Sequence, residues 1–169
     1  MRFDFESTRS CVWINARSSV HPINTETRGL TGWCEVTTES DGSLTFADHV
    51  GGRLELNAEL LSSGNQLYDR ELRRRIDAKR FPSIDGQITQ VQKTDAPDRY
   101  LVTGDLTFHG RTKSFTQEMN IVVNGSTIEL KGEYVFDIRE FNMKPPSMLM
   151  VKVYPEVAVR VELQGVAAS

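Results

Sequence analysis

The sequence predicts an all-β domain, an antiparallel barrel or sandwich interrupted by one short helix. Three observations predict it. Apolar residues recur at every second position in run after run, the period of a half-buried strand. Tight-turn signals such as Asn124-Gly125 separate those runs. One stretch, residues 65–79, is instead rich in helix formers.

In chain order, Val12, Ile14 and Ala16 make a first strand and residues 30–36 a second, followed by a turn at Asp41-Gly42. Residues 53–60 alternate cleanly, with Leu54, Leu56, Ala58 and Leu60 on one face. Asn65 is placed to cap the helix. Leu67, Leu72 and Ile76 fall roughly on one helical stripe, and Phe81-Pro82 ends the run. Alternation returns at Tyr100, Val102, Leu106 and Phe108, and, after a turn at His109-Gly110-Arg111, at Phe115, Met119, Ile121 and Val123. It continues at Ile128, Leu130, Tyr134, Phe136 and Ile138. The last stretch carries Leu149, Val151 and Val153, then Val157, Val159, Val161 and Leu163, with Pro155 marking a bulge, bend or edge between them. Closing such a sheet removes edges that invite aggregation.

Composition bounds the function. A chain of 169 residues with 38% hydrophobic residues fits one domain. No run approaches the roughly 18–20 apolar residues of a spanning helix. The opening Met1-Arg2-Phe3-Asp4-Phe5-Glu6 is charged and lacks the apolar core of a secretory signal, so a cytoplasmic location is expected. A net charge of −3 argues against a nucleic-acid binder. Cys11 and Cys34 lie in neighbouring strand-like segments, where a bridge is geometrically open; two reduced, partly buried thiols are the expectation. His21, His49 and His109 make no metal-ligand spacing with them, so neither a metal nor a cofactor is expected. No nucleophile elbow, P-loop or dinucleotide fingerprint occurs. Asp105 and His109 share a strand but stand about 13 Å apart along it, too far to bond directly. The expectation is a protein without enzymatic activity.

Several stretches together resemble one family, the YceI-like lipid-binding proteins, also called polyisoprenoid-binding proteins. Residues 64–73, Gly-Asn-Gln-Leu-Tyr-Asp-Arg-Glu-Leu-Arg, are similar to that family's G-N-x-x-x-D-x-x-L-R element. Phe81-Pro82-Ser83-Ile84 looks like the aromatic-Pro-x-Ile that leads into the family's next strand. Residues 104–113 match G-D-L-T-x-x-G-x-T-K. The likeness runs from Asp4 and Ser10 to the final strand. It implies an eight-stranded antiparallel lipocalin-like barrel with one short inserted helix, holding an amphiphilic lipid of isoprenoid or quinone type in an apolar cavity. Carriage, storage or buffering is the implied role. The chain also departs from the family pattern. Glu71 stands where a His is usual, the aromatic pair after the helix is missing, and residues 73–81 are about two residues short. Gln117 replaces an apolar residue, and residues 138–143 match the late Asp-Phe element only loosely.

Candidate ligand-binding residues follow. Phe108, Phe115, Met119, Ile121, Tyr134 and Phe136 form the inward apolar set, which suits a lipid cavity or an ordinary filled core equally by periodicity. Gln117 in that register needs a hydrogen-bond partner across the barrel, in water or on a ligand. Phe141, Met143, Met148 and Met150 lie in a segment with three of the five methionines, which suits a cavity mouth or a packed connection. Arg73 and Arg74 belong to six cations in eleven residues, which fit either a solvated face or an anionic headgroup or membrane surface. A homodimer is also open. The alternative function is a filled barrel whose outer face or helix binds a partner protein.

Overall fold

The computed structural model of the chain describes residues 1–46, 51–145, 147–148 (backbone only) and 151–169. Among the described residues, twelve strands and one α-helix follow in order: β1 (Arg2–Phe5), β2 (Cys11–Ser18), β3 (Ile23–Thr27), β4 (Leu30–Thr38), β5 (Leu44–Phe46), β6 (Gly52–Asn57), α1 (Gln66–Arg75), β7 (Ser83–Lys93), β8 (Arg99–Phe108), β9 (Arg111–Asn124), β10 (Thr127–Asp137), β11 (Ser147–Met148) and β12 (Val151–Ala167). They make an eight-stranded ring because some strands share a position. β1 pairs with the C-terminal end of β12 and β2 with its earlier part. β4 pairs with β1, and β3 with β2. The ring then runs β4-β6-β7-β8-β9-β10-β12 and closes from β12 back to β1. A single Glu26–Ser62 bridge ties β3 into it.

Local chemistry sets the joints. His109 and Gly110 take φ of +52° and +75°, the mirror-image turn that suits a two-residue hairpin. Gly125 takes +58° in the Asn124–Thr127 hairpin. Pro155, which lacks a ladder donor, sits within a register shift of β12 against β2, between Val153 and Val157.

The helix differs from the expectation at its C-terminal end. It starts where expected, with Asn65 Oδ1 accepting from the Leu67 and Tyr68 amides. It stops at Arg75, four residues early. Asp77 adopts φ +50°, and the Ala78 and Asp77 amides donate back to the Arg73 and Arg74 carbonyls. That closing motif terminates a helix by itself. Ile76 and Leu72 pack on the core, but Leu67 is 68% exposed. Asp69 anchors the first turn instead, buried, accepting from Ser62 Oγ and from the Ser63 amide and hydroxyl. Likewise β6 ends at Asn57. Ala58–Leu60 form a 3-10 turn capped by Asn57, so Ala58 is buried while Leu60 turns outward.

The two ends of the barrel are built differently. One end holds the hairpins Lys93–Arg99 and Asn124–Thr127 and the close of β12. It is packed solid by Phe3, Cys34, Tyr100, Ile121 and Ile128, all buried. The other end carries α1, the Phe108–Arg111 hairpin and the 3-10 turn Ile138–Phe141 that follows β10. Cys11 and Cys34 are both free and buried. Burial pushes the Cys34 thiol up to about 12.

Candidate functional site: a cavity at the helix end

Inward side chains at the helix end do not fill the barrel. They enclose an apolar cavity of about 220 Å³. Leu54, Leu56, Ile84, Leu106, Val157 and Val159 form its walls, and Phe108, Phe141 and Ile138 close over it at the helix end. The volume falls below the roughly 300–1,000 Å³ of sites for drug-sized ligands. It suits a short segment of apolar chain.

Inward-facing glycines decide where the space is. At Gly104 a β-carbon would lie 2.8 Å from Phe115 Cζ, and at Gly132 it would lie 2.8 Å from Met119 Cγ. Those glycines make room for the large neighbour beside them. At Gly86 a β-carbon would meet nothing nearer than the Leu54 carbonyl oxygen at 3.9 Å. Gly86 pairs with Leu54 and Leu106 and shares their inward face, so its missing side chain is cavity space.

Aromatic rings form the wall between β9 and β10. The ladder joining these strands ends at Lys131–Asn120. Beyond it, Arg111–Met119 pairs only with β8 and Gly132–Asp137 only with β12. Side chains bridge the unpaired stretch: Phe115 to Tyr134 at 5.8 Å between ring centroids, Phe115 to Phe136 at 5.9 Å, and Phe136 to Phe141 at 6.1 Å. Such pairs contribute about 0.5–1.5 kcal/mol each beyond burial. They hold this seam without backbone hydrogen bonds.

The structure brings together seven of the residues singled out in the sequence. Phe108, Phe115, Gln117, Met119, Tyr134, Phe136 and Phe141 all line the cavity. Gln117 Nε2 donates to the neighbouring Glu118 carbonyl at 3.1 Å, so this amide is partly satisfied by its own strand. Ile121 is fully buried in the solid end, paired with Leu130 and outside the cavity. Met143 packs on the core without lining the cavity. Met150, like His49, lies outside the described residues, as does the Met148 side chain.

Arg73 and Arg74 also stand away from the cavity. Arg74 bonds Glu71 at 2.6 Å, and Arg75 bonds the same carboxylate at 2.7 Å. Hydrogen bonds from Arg74 and then Arg75 hold Glu71 down at about 2. Glu71, the departure from the family's His, thus ties down two cations of the run. Arg73 turns under the helix toward the Leu61 carbonyl at 3.5 Å. His109 packs its ring on Phe81 at 4.4 Å between centroids. Among the described residues, no group of three or more His, Cys, Asp or Glu is placed to hold a metal ion.

Sequence reasoning missed Gly86 and the valines of β12 as cavity residues. Alternation could have found the valines. Gly86 carried no signal, because a glycine in an apolar register reads as a weak strand position.

A closed eight-stranded antiparallel barrel with an apolar interior and one helix at its rim defines a lipocalin-like class of container fold. A family model for the YceI-like domain matches residues 14–165, and the chain belongs to that family. Solved structures agree on the fold. Burkholderia cenocepacia BcnA is similar with a TM-score of 0.78 at 17% identity, over 95% of this chain and 98% of that one. A polyisoprenoid binding domain from Saccharophagus degradans gives 0.77 at 11% identity, over 98% of each chain. The Campylobacter jejuni YceI protein gives 0.63 at 13% identity, over 82% of each. No curated protein matches in sequence.

Proposed function

We propose that this chain binds and carries an amphiphilic lipid of isoprenoid or quinone type, without catalysing a reaction on it. The observation that carries this reading is the cavity itself. The fold fills one end with side chains and leaves the other lined by apolar groups, with Gly86 opening the wall. Apolar chain placed there leaves water at about 0.8 kcal/mol per methylene. The likeness to a polyisoprenoid binding domain supports the same ligand class. Pick-up from an anionic membrane belongs to the proposal: Leu67 stands exposed on α1 next to the exposed cations Arg70 and Arg74.

The test is fluorescence of N-phenyl-1-naphthylamine, an uncharged apolar dye, titrated into the purified chain stripped of lipid. Saturable enhancement, displaced by a prenyl alcohol, is the expected result. A chain that leaves the dye as dim as in buffer does not have a usable cavity, and the partner-protein alternative then replaces this reading.

A further inference from the structure

The geometry points to an anionic headgroup site at the seam between β9 and β10, with Lys113 as its principal cation and Arg111 at its rim. This inference rests on the lipid-binding reading above and adds the class of headgroup.

Register carries the argument. Residues directly paired across a ladder lie on the same face of the sheet, with β-carbons about 4.5–5.5 Å apart. Lys113 pairs with Leu106, and Arg111 with Phe108. Leu106 and Phe108 line the cavity, so the two cations occupy the barrel's inner face at its helix end. The alternate residues confirm the phase. Ser114 and Asp105 pair on the opposite face, where the Ser114 hydroxyl bonds the Asp105 carboxylate. That carboxylate is turned away from Lys113.

Two further observations mark the spot as built for a ligand. Lys113 is half-buried, yet among the described residues neither it nor Arg111 makes an ion pair or a side-chain hydrogen bond. Other arginines, such as Arg53, Arg74 and Arg139, are paired within the chain. The two cations also sit on the stretch of β9 that is unpaired with β10, so backbone donors on that edge are free of the ladder. A lysine on a flexible four-carbon stem, free N–H groups and an apolar cavity two residues away fit a phosphate or carboxylate joined to an apolar tail. Phe115 and Gln117 continue the inward face from Lys113 into the cavity, which gives the tail its direction.

The experiment compares ligands of equal tail and different head. Decyl phosphate, decanoate and decanol each displace N-phenyl-1-naphthylamine from the delipidated chain, with inorganic phosphate as a tail-free control. The expected result is that one or both anionic ligands bind about tenfold more tightly than decanol, since a charge-assisted hydrogen bond is worth at least that factor. Which anion leads separates a phosphate head from a carboxylate head. Lys113→Gln brings the anion-to-alcohol ratio close to one, and Lys113→Arg restores it, which a merely structural role for Lys113 would not do. Equal binding of anions and alcohol to the wild-type chain overturns the headgroup site while leaving the cavity intact. Inorganic phosphate that protects Lys113 from acetylation as well as decyl phosphate does also overturns it, because the site then takes a free anion. Failure of all three decyl ligands removes the lipid-binding reading and this inference with it.

Discussion

Gly86 and Leu54 face each other across the β6–β7 ladder with nothing between them. A β-carbon at Gly86 would stop 3.9 Å short of the Leu54 carbonyl oxygen. The backbone there is ordinary strand, since Gly86 is not among the residues with positive φ. A side chain at Gly86 therefore enters the cavity without strain. Gly86→Leu is expected to lower affinity for N-phenyl-1-naphthylamine at least tenfold while the melting temperature holds or rises, because a filled void gains packing. Fluorescence titration and thermal melts on the same preparation check both halves.

Gly104 predicts the reverse. A β-carbon there lies 2.5 Å from the Gln87 carbonyl oxygen and 2.8 Å from Phe115. Backbone cannot yield as a flexible side chain does. Gly104→Ala is expected to destabilise by about 1–3 kcal/mol, read as a lower urea midpoint with unchanged slope. Equal stability of the two alanine variants, Gly86→Ala and Gly104→Ala, would contradict the assignment of space.

Asp69 gives the pH dependence. Burial works against its ionised form, but hydrogen bonds from the Ser63 hydroxyl and amide and from Ser62 outweigh it and hold the carboxyl below its ordinary range. A depressed folded-state value adds stability that is present above the unfolded value, near pH 4, and is lost as pH falls through the folded value. Asp69→Asn is expected to lower stability at pH 7 by about 1–3 kcal/mol and to flatten the stability curve below pH 4. Urea melts across that range test it. An unchanged acid limb contradicts the anchoring role.

The cysteines report on the solid end. Cys34 is fully buried in the packed core, and burial, helped by the Asp4 and Glu35 carboxylates, raises its thiol to about 12. Both thiols are expected to resist a water-soluble disulfide reagent at pH 8 and to react together at the rate of unfolding. Rapid labelling of Cys34 in the native chain would show that the end opposite the helix is open.

Much of this barrel was legible in the sequence because period two survives wherever one face is apolar. β8, β9 and β10 were readable from Tyr100 to Phe136 for that reason. β7 was not, since its inward positions are Ile84, Gly86 and Ile88, and a bulge after Ile88 shifts the phase. The glycine that opens the cavity is the same residue that hides the strand. β1 and β3 are short, and the partner of β1 in β12 lies at the far end of the chain. The helix stripe misled at Leu67 because the first turn is held by a buried carboxylate, a tertiary contact with Ser62 and Ser63 that periodicity does not encode. Inward aromatics were identifiable as a set, but alternation alone could not say that Ile121 would be packed and Phe115 would border space. That difference depends on which glycines lie across the ladders.

The most direct test of the container account is native mass spectrometry of the wild-type chain beside Gly86→Phe, expressed and purified in parallel. The account predicts a discrete added mass on the wild type, released on activation and identified as an amphiphile, and its loss in Gly86→Phe at unchanged fold. Wild-type chain that emerges repeatedly at its bare mass, or an adduct of equal abundance on both chains, contradicts it.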